Sequence, residues 1–558
     1  MADNIQNEEL VKEDLRRQER LETERAPYES TFRDAEALCD PMSAGGFNSG
    51  AGRHGPERNY NFDSTAMDGL DRFDAALGAV TMPKTELWLG LTVYDKELAR
   101  SPAVQRWLEH AADRCWDCIY APHANFGVAT SEDRRALGCY GTGPLWVDEA
   151  KGRGLFFRGL HMSETYIDID FRGRVDTVHR PFELTARQAA QMFGRENLSP
   201  KMQDAEKNPA KCDSDKFQVL HVVRPNDGYQ PDMLDARGKP IASRYIAKDE
   251  KFILRQGGFH TMPVPVSRNS TAPGQKYGSS PMFKVMGTAQ GLNEMAKTIL
   301  RAGHKAVDPP ILFFDDGDIT KLVTKPGGLN PGLVNEDGRL LAQPLPSGGQ
   351  HGIARDMQEG ERQVVKTAFL EDFFRILTDP GDRWTATQIL EMVAKQGVLI
   401  GPFADRYETE KVGVLVERVL DILMRAGQIA PMPPEMVEAG AYPLVYMKNP
   451  LARMARAGEA AGFTRLVEIG VQIASAGHPE ALDRVDFDKG MLGVAEVLGV
   501  RPSWMLSDDE LAALRQQREA DKQAAQAADV VPAAAGAALD LARANQVASQ
   551  LGAGGGLG

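Results

Sequence analysis

Five cysteines, ten histidines and a close-set trio of aspartates are the side chains of this 558-residue chain that first suggest a site. Cys115 and Cys118 form a Cys-x-x-Cys pair, half of what a structural zinc or a dithiol centre needs. No second pair follows at zinc spacing, and the pair falls on a helical apolar pattern, so the two read as small buried hydrophobes. His161, His179 and His221 fall in strand-rich sequence without metal spacing and read as structural. Asp315-Asp316-x-Asp318 lacks the glycine and the distant glutamate of a calcium loop and reads as turn chemistry. The Gly/Ser/Asn-rich stretch from Ser43 to Gly55 has no strand before it and no Lys-Ser/Thr after it, so it is a surface loop and not a phosphate cradle. No nucleophile–base pair, Walker loop or dinucleotide fingerprint stands out. The expectation is a protein that is not an enzyme and holds no metal or cofactor.

What remains is a set of cations. Lys297, Arg301, His304 and Lys305 cluster near the C-terminal end of a predicted helix, roughly Ser280 to Arg301. There they complement the helix dipole, and the same groups are suited to face phosphates. That helix carries Met282, Val285, Met286, Leu292, Met295, Ile299 and Leu300 at helical spacing. A Pro/Gly-rich excursion from His304 to Gly352 follows, too long for an ordinary connection. It contains strand candidates Ile311–Phe314 and Ile319–Val323, and suits a small module or a site that pairs with another chain. A second helix, roughly Ile353 to Leu377, returns with Met357, Val364, Val365, Phe369, Phe373 and Phe374. After a turn at Asp379-Pro380-Gly381, a third helical run extends from Thr385 to Arg425. Thr385-x-x-Gln388 is a capping box, Pro402 should kink the run, and Gly427 ends it.

The elements on either side are of two kinds. Glu8 to Arg25 alternates acids and bases and reads as a solvated, ion-pair-laced helix that continues from Tyr28 to Leu38. Helices follow with Leu70, Phe73, Leu77 and Val80, capped by Asp63, Ser64 or Thr65, then from Pro102 to about Tyr120, and from Phe126 to Leu137. From Gly141 the period changes to two. Strands are predicted at Gly141–Gly143, Leu145–Val147, Leu155–Phe157, Thr165–Ile169, Val175–Val178, Lys216–Val223, Ser243–Ala247, Lys251–Arg255 and Met262–Val266, with one helix from Thr185 to Phe193. Beyond Pro434, helices are expected at Asn449–Ser475, Phe487–Leu498 and from Ser507 to about Ala528. An Ala/Gly-rich tail follows, partly disordered. The fold class is α+β, predominantly helical: a helical layer, then a largely antiparallel sheet, then long helices.

Composition narrows the partners. The net charge is −13, with 26% charged and 42% hydrophobic residues, so the chain is no basic sequence-specific DNA binder. Net charge does not say where charges sit, and an acidic chain can still line a channel for DNA. An odd, irregular cysteine count argues for a reducing compartment without a disulfide framework. The charged N-terminus is no signal peptide, and no run of 18 apolar residues predicts a membrane span.

Several stretches together resemble the head-to-tail connector (portal) proteins of short-tailed, T7-like phages. They are Asn61-Phe-Asp-Ser-Thr65 with its helix and the Trp88 segment, Gly141-Thr-Gly143, and Tyr277-Gly-Ser-Ser-Pro281 with Leu292-Asn-x-Met295 and Asp308-Pro-Pro310. Thr385-Ala-Thr-Gln388 follows, with Leu399-x-Gly-Pro402, Arg406 and Glu410. Gln388 departs from the glutamate usual there and caps equally well. The match runs from about Leu21 to Pro434 and thins after it. The resemblance implies a homo-oligomeric ring, usually a dodecamer, at one capsid vertex of the virion, assembled in the host cytoplasm. Double-stranded DNA would pass through it in packaging and ejection, without sequence specificity. Terminase large subunit, major capsid and scaffolding proteins and a tail adaptor would dock on it, and no membrane is involved. It implies a wing at 1–278, stem helices at 279–303 and 353–377, and a clip at 304–352. A tunnel loop at 378–384 (Thr378, Asp379, Pro380, Gly381, Asp382, Trp384) and a long kinked helix at 385–427 come next, then a crown at 428–530 and a tail at 531–558. Candidate channel-lining residues are Lys297, Arg301, Lys305, Arg362, Lys366 and Arg383. The competing expectations are another structural phage component, such as a tail adaptor or a capsid-associated scaffold, and an α+β enzyme whose site escapes motif reading.

Overall fold

The computed structural model describes residues 2–43, 47, 61–150, 154–313, 351–371, 402–448, 450–475, 485–498 and 510–520, with short pieces between 322 and 345, between 478 and 483, and at 505–506. The chain divides into two compact units, Met1–Glu468 and Ile469–Gly558.

The first unit opens on helix α1, Ala2–Cys39. Its alternating charges predict a solvated helix, and the structure corrects that. Val11 and Leu15 pack on Leu220, Val222, Ile246 and Ile253 of the sheet described below. Asp14, fully buried, receives Arg244 through two hydrogen bonds of 2.6 and 2.8 Å. Arg25 is buried as well, donating to the carbonyls of Met162 (2.8 Å) and Thr165 (3.1 Å) with its guanidinium 3.5 Å from the Tyr166 ring centroid. Charges enter an interior when paired and hydrogen-bonded, and the partners here lie more than a hundred residues away in sequence.

Three helices form the adjoining layer: α2 (Thr65–Thr81), α3 (Pro102–Ile119) and α4 (Phe126–Tyr140). Their apolar stripes meet in one core with Leu70, Phe73, Leu77, Val104, Trp107, Leu108, Ala111, Cys115, Ile119 and Leu137. Trp88 is fully buried just before strand β1 (Leu89–Thr92). Its indole N–H donates to Tyr120 Oη at 3.0 Å, and that hydroxyl donates to the Met82 carbonyl at 2.8 Å. Cys115 lies in this core, where burial pushes its thiol up to about 12. Cys118 is half-buried, 3.4 Å from Gln428 Oε1.

Two antiparallel sheets follow. Strands β2 (Thr142–Ala150), β3 (Gly154–Gly159) and β9 (Val266–Arg268) pair in the order β3-β2-β9. The larger sheet runs β4 (Tyr166–Ile169), β5 (Val175–Thr185), β6 (Lys216–Pro225), β7 (Ile241–Ala247) and β8 (Phe252–Phe259) in sequence order. β5 is much longer than the strand expected at Val175–Val178, and it continues through Pro181. Pro181 sits opposite Leu220 of β6, while β4 pairs only with residues up to His179. The side of β5 that lacks a donor at Pro181 therefore faces no strand among the described residues, and the ladder continues. Thr185 and Gln188 close a capping box on helix α5, Ala186–Phe193. Helix α6, Pro200–Lys207, packs with it and is absent from the sequence reading. The three histidines hold polar contacts within this module: His161 Nε2 with Glu36 at 3.0 Å, His179 Nδ1 with Gln18 at 3.1 Å, and His221 Nε2 with Ser243 at 3.0 Å.

Helix α7 spans Pro281–Val307, and helix α8 spans His351–Ala368; the two pack together. Between them β10 (Ile311–Phe313) pairs antiparallel with β11 (Ala342–Pro344), so the excursion returns on itself. The first expected strand is present at Ile311–Phe313; of the second, residues 319–321 lie outside the described residues, and Leu322 and Val323 carry no strand pairing, the latter held by Asn330. Residues 315–318, the turn at 378–384 and the capping box at 385–388 lie outside the described residues. From Pro402 the third helical run is present. It contains one π turn, Glu408–Val412, before helix α9, Gly413–Arg425. Gly427 ends it at φ 67°, with Gly427 N–H bonded to Met424 O and Gln428 N–H to Leu423 O, a Schellman closure. Strand β12 (Leu444–Met447) pairs with β1, and helix α10 runs Pro450–Ser475.

The second unit contains helix α11, Phe487–Leu498, and a helical stretch at 510–520. Arg515 is paired to Asp488 at 2.7 and 2.8 Å. The whole is mixed α+β, mostly helical, with antiparallel sheets.

Candidate functional site: the paired helices and their brace

Ser280 seats the start of α7. Its side chain accepts from Met282 N at 2.8 Å and donates to the Gly138 carbonyl at 2.5 Å, fixing the helix to the end of α4. Met282, Val285, Ala289 and Leu292 are buried, and burial stops there. The second half of α7 and most of α8 run beyond the core. Leu300 and Val307 on α7, and Met357 and Val364 on α8, are large apolar side chains left exposed by their own chain.

Lys297, Arg301 and Lys305 stand at i, i+4 and i+8, one stripe along the outer half of α7. Lys297 Nζ is 3.2 Å from Glu294 and 6.0 Å from the Phe62 ring centroid. Arg301 and Lys305 are exposed. Lys366 on α8 is half-buried, 3.9 Å from Glu359. Arg362 is engaged: its Nε and Nη2 donate to Asp63 Oδ2 at 3.0 and 2.9 Å. Asp63 is nearly buried and accepts from Thr65 N at 3.0 Å as well. Although burial alone would raise it, these hydrogen bonds and the Arg362 charge hold its carboxyl below the usual range. Arg383 lies outside the described residues. The structure thus groups Lys297, Arg301 and Lys305, and assigns Arg362 a bracing contact within its own chain.

The segment that supplies the brace is one whose residues, apart from the family resemblance, signal only a helix cap. Phe62 N–H donates to Asn293 of α7, Asp63 holds α8, and Arg72 of α2 pairs with Glu371. Gly69 lets Phe369 approach: a Cβ there would sit 2.8 Å from the Phe369 ring. Phe73 meets the same ring edge-on at 6.3 Å between centroids. Asp63-Ser64-Thr65 ahead of an apolar helix signals a cap; nothing local signals that its carboxylate reaches a residue 299 positions away.

A second hub lies at the π turn. Glu408 Oε1 accepts from Met447 N at 2.8 Å, and Glu410 Oε2 from Arg268 Nε at 3.0 Å. Lys411 Nζ donates to Asp133 Oδ1 at 2.6 Å. These polar contacts tie β12, β9 and α4 to one turn of helix. Among the described residues no group of three or more His, Cys, Asp or Glu is placed to hold a metal ion, and no helix is long and apolar enough to cross a membrane.

A rigid mixed core that projects two helices with bare apolar and basic stripes has the build of an assembly subunit. The chain belongs to the bacteriophage head to tail connecting protein family, whose family model matches residues 12–506. It is 26% identical over 548 residues to the "Portal protein" of Salmonella phage epsilon15, covering 96% of each chain. It is 27% identical over 533 residues to the "Probable portal protein" of Bordetella phage BPP-1, covering 94% of each. A chain of the virion of a native gene transfer agent (GTA) particle aligns over 80% of this chain and 96% of its own, with 13% identity and a TM-score of 0.33, too low to carry an argument. As a family member the protein is a structural, non-enzymatic component of the phage virion, the head-to-tail connector.

Proposed function

We propose that copies of this chain close into a ring, a dodecamer, at one capsid vertex of a short-tailed, T7-like phage. Double-stranded DNA enters the capsid through its channel and leaves by it. The observation that carries the reading is the α7/α8 pair, braced at one end and leaving Leu300, Val307, Met357 and Val364 exposed. A ring of identical subunits needs two unlike faces per subunit, each completed by a neighbour. In this reading residues 1–278 form a wing, α7 and α8 the stem, 304–352 the clip, 378–384 a tunnel loop, 385–427 the long helix and 428–530 a crown. Terminase large subunit, a tail adaptor, and major capsid and scaffolding proteins dock on the outside.

A channel for DNA of any sequence touches phosphates and not bases. It must also hold them weakly, and an acidic chain with a few cations meets both needs. Lys297, Arg301 and Lys305 are the channel residues favoured by their shared stripe, with Lys366 second; Arg383 is a further candidate outside the described residues. Arg362 is better explained as a brace.

Two measurements test this. Native mass spectrometry of the purified protein should give an assembly of about twelve times the 61.1 kDa chain. A monomer or dimer at every concentration, with capsid and scaffold partners supplied, would sink the ring. Lys297→Gln with Arg301→Gln should leave ring formation intact and lower the DNA packaged per particle severalfold. Full packaging by that variant removes both residues from the channel.

A further inference from the structure

The last turn of α1 meets the last two turns of α4 in three rungs. At one side Asp40 receives Arg135, with Oδ1 2.9 Å from Nη2 and Oδ2 3.2 Å from Nε. At the other, Glu36 Oε1 accepts from Tyr140 Oη at 2.5 Å and lies 3.0 Å from His161 Nε2. Between them the sulfurs of Cys39 and Cys139 are 3.2 Å apart, each side chain buried. A disulfide needs them about 1 Å closer, at a bond of ~2 Å. The flanking rungs already hold the two helix ends side by side. The other three cysteines offer no such pairing: Cys115 and Cys118 are three apart on one helix, and Cys212 lies apart from both, ahead of β6.

We propose that Cys39 and Cys139 are a disulfide site, carried as two thiols while the protein is made and assembled, and closed to one disulfide in the released virion. The inference uses the virion location given by the family and does not depend on the ring number or on the channel residues. Cytoplasm keeps thiols reduced, and virion surfaces meet oxidising medium. The oxidant is a peroxide. The Cys39 sulfur attacks one peroxide oxygen, the O–O bond breaks, and the leaving oxygen takes up the thiol proton and departs as water, leaving a sulfenic acid. The Cys139 sulfur then attacks the sulfenic sulfur, and the hydroxyl leaves with the second thiol proton as another water. Two thiols and one hydrogen peroxide thus become one disulfide and two waters, each sulfur giving up one electron.

The surroundings set the timing. Cys139 lies beside Glu36 and Asp40, and burial together with Cys39 and those carboxylates holds its thiol well above the ordinary range. Both sulfurs are buried, so oxidant reaches them slowly and the pair stays reduced through assembly. Cys39 is the final residue of α1. Helix ends open locally at small cost, so oxidant reaches this sulfur without global unfolding.

The purified full-length protein is treated with hydrogen peroxide, denatured without reductant, alkylated with iodoacetamide and digested. Two of the five thiols should resist alkylation, and mass spectrometry should find a peptide joining Cys39 to Cys139. Cys139→Ser should leave a Cys39 sulfenic acid that dimedone traps, which the unaltered protein should not show. The same digest of purified virions should contain the joined peptide, and a digest of infected cells before lysis should not. Five alkylatable thiols after peroxide, or sulfinic acids without the joined peptide, overturn the site. A joined peptide in the treated protein and none in virions overturns the assignment to the virion. Because the first arm reads chemistry in the isolated chain, a failed ring assembly leaves it interpretable.

Discussion

Replacing Lys411 with methionine should destabilise the subunit by about 3–5 kcal/mol, read as a fall in the denaturant midpoint of the purified chain. Lys411 and Asp133 are both fully buried, with Nζ 2.6 Å from Oδ1 and 3.3 Å from the Pro265 carbonyl. Removal of water pushes the Lys411 ammonium down and the Asp133 carboxyl up, against the attraction of each for the other. With the lysine gone, Asp133 loses its hydrogen-bonded cation and keeps the cost of burial, offset only by the more distant charge of Arg134. Its remaining oxygen, Oδ2, already lacks a partner. The deficit should depend on pH with a definite sign. A carboxyl whose folded pKa is raised binds more protons folded than unfolded, so stability falls as pH rises above the ordinary carboxylate range. The Lys411→Met variant should therefore be closer to the unaltered protein at pH 5 than at pH 8. Adding Asp133→Leu should recover much of the loss, because an apolar pair can replace a buried ion pair where a lone charge cannot. Equal stability of the Lys411→Met variant and the unaltered protein at both pH values would show that the pair contributes nothing.

Which parts of this were legible in the sequence follows from the range of the interactions. The stripe of Leu70, Phe73 and Leu77, that of Val104, Trp107, Leu108, Ala111 and Cys115, and the start of α7 from Pro281 are written in local periodicity, and the structure places them so. The Thr185 cap and the Gly427 stop are equally local. Misread were the elements whose character is set from a distance. α1 has the charge pattern of a solvated helix, yet Asp14, Gln18 and Arg25 are buried because the large sheet and the turn at Met162–Thr165 supply their partners. The strand expected at Val175–Val178 runs on to Thr185 because β6 pairs with it past Pro181, where β4 has already ended. The π turn is invisible in an apolar pattern that continues through Tyr407, Val412 and Leu415. The candidate site divides the same way. The stripe Lys297, Arg301 and Lys305 follows from spacing alone, whereas the engagement of Arg362 by Asp63 joins segments 299 residues apart. Glu410, noted only as part of a resemblance, gains a physical reason in its contact with Arg268.

The corner between α4 and β2 is the other place where one atom should decide folding. Gly141 sits at φ 74°, its N–H closing the helix on Leu137 O at 3.0 Å and its carbonyl accepting from Asn269 N at 2.9 Å. A Cβ on Gly141 would stand 2.5 Å from the Gly278 carbonyl oxygen and 2.6 Å from Ser280 N, all of it backbone. Gly278 is locked reciprocally, facing the Gly141 carbonyl while its own N–H donates to Thr142 Oγ1 at 2.9 Å. Gly143, two residues on, lies where a Cβ would come within 2.6 Å of Asp133 Oδ1, the oxygen that holds Lys411. The Gly-x-Gly spacing therefore lets one chain corner seat both the start of α7 and the buried ion pair. Gly141→Ala meets a left-handed backbone, about 1–2 kcal/mol, and an overpacked contact with no side chain to yield, about 1–3 kcal/mol more. A loss of roughly 3 kcal/mol or more is expected, seen as a lowered thermal midpoint or as insoluble expression. Gly274→Ala is the matched control. Its φ of 81° is similarly left-handed, but nothing lies within 4 Å of the added carbon. It should lose only the conformational part, about 1 kcal/mol. If the two variants melt together, close backbone packing at this corner is not what requires glycine, and the seating of α7 on α4 must rest on the Ser280–Gly138 hydrogen bond instead.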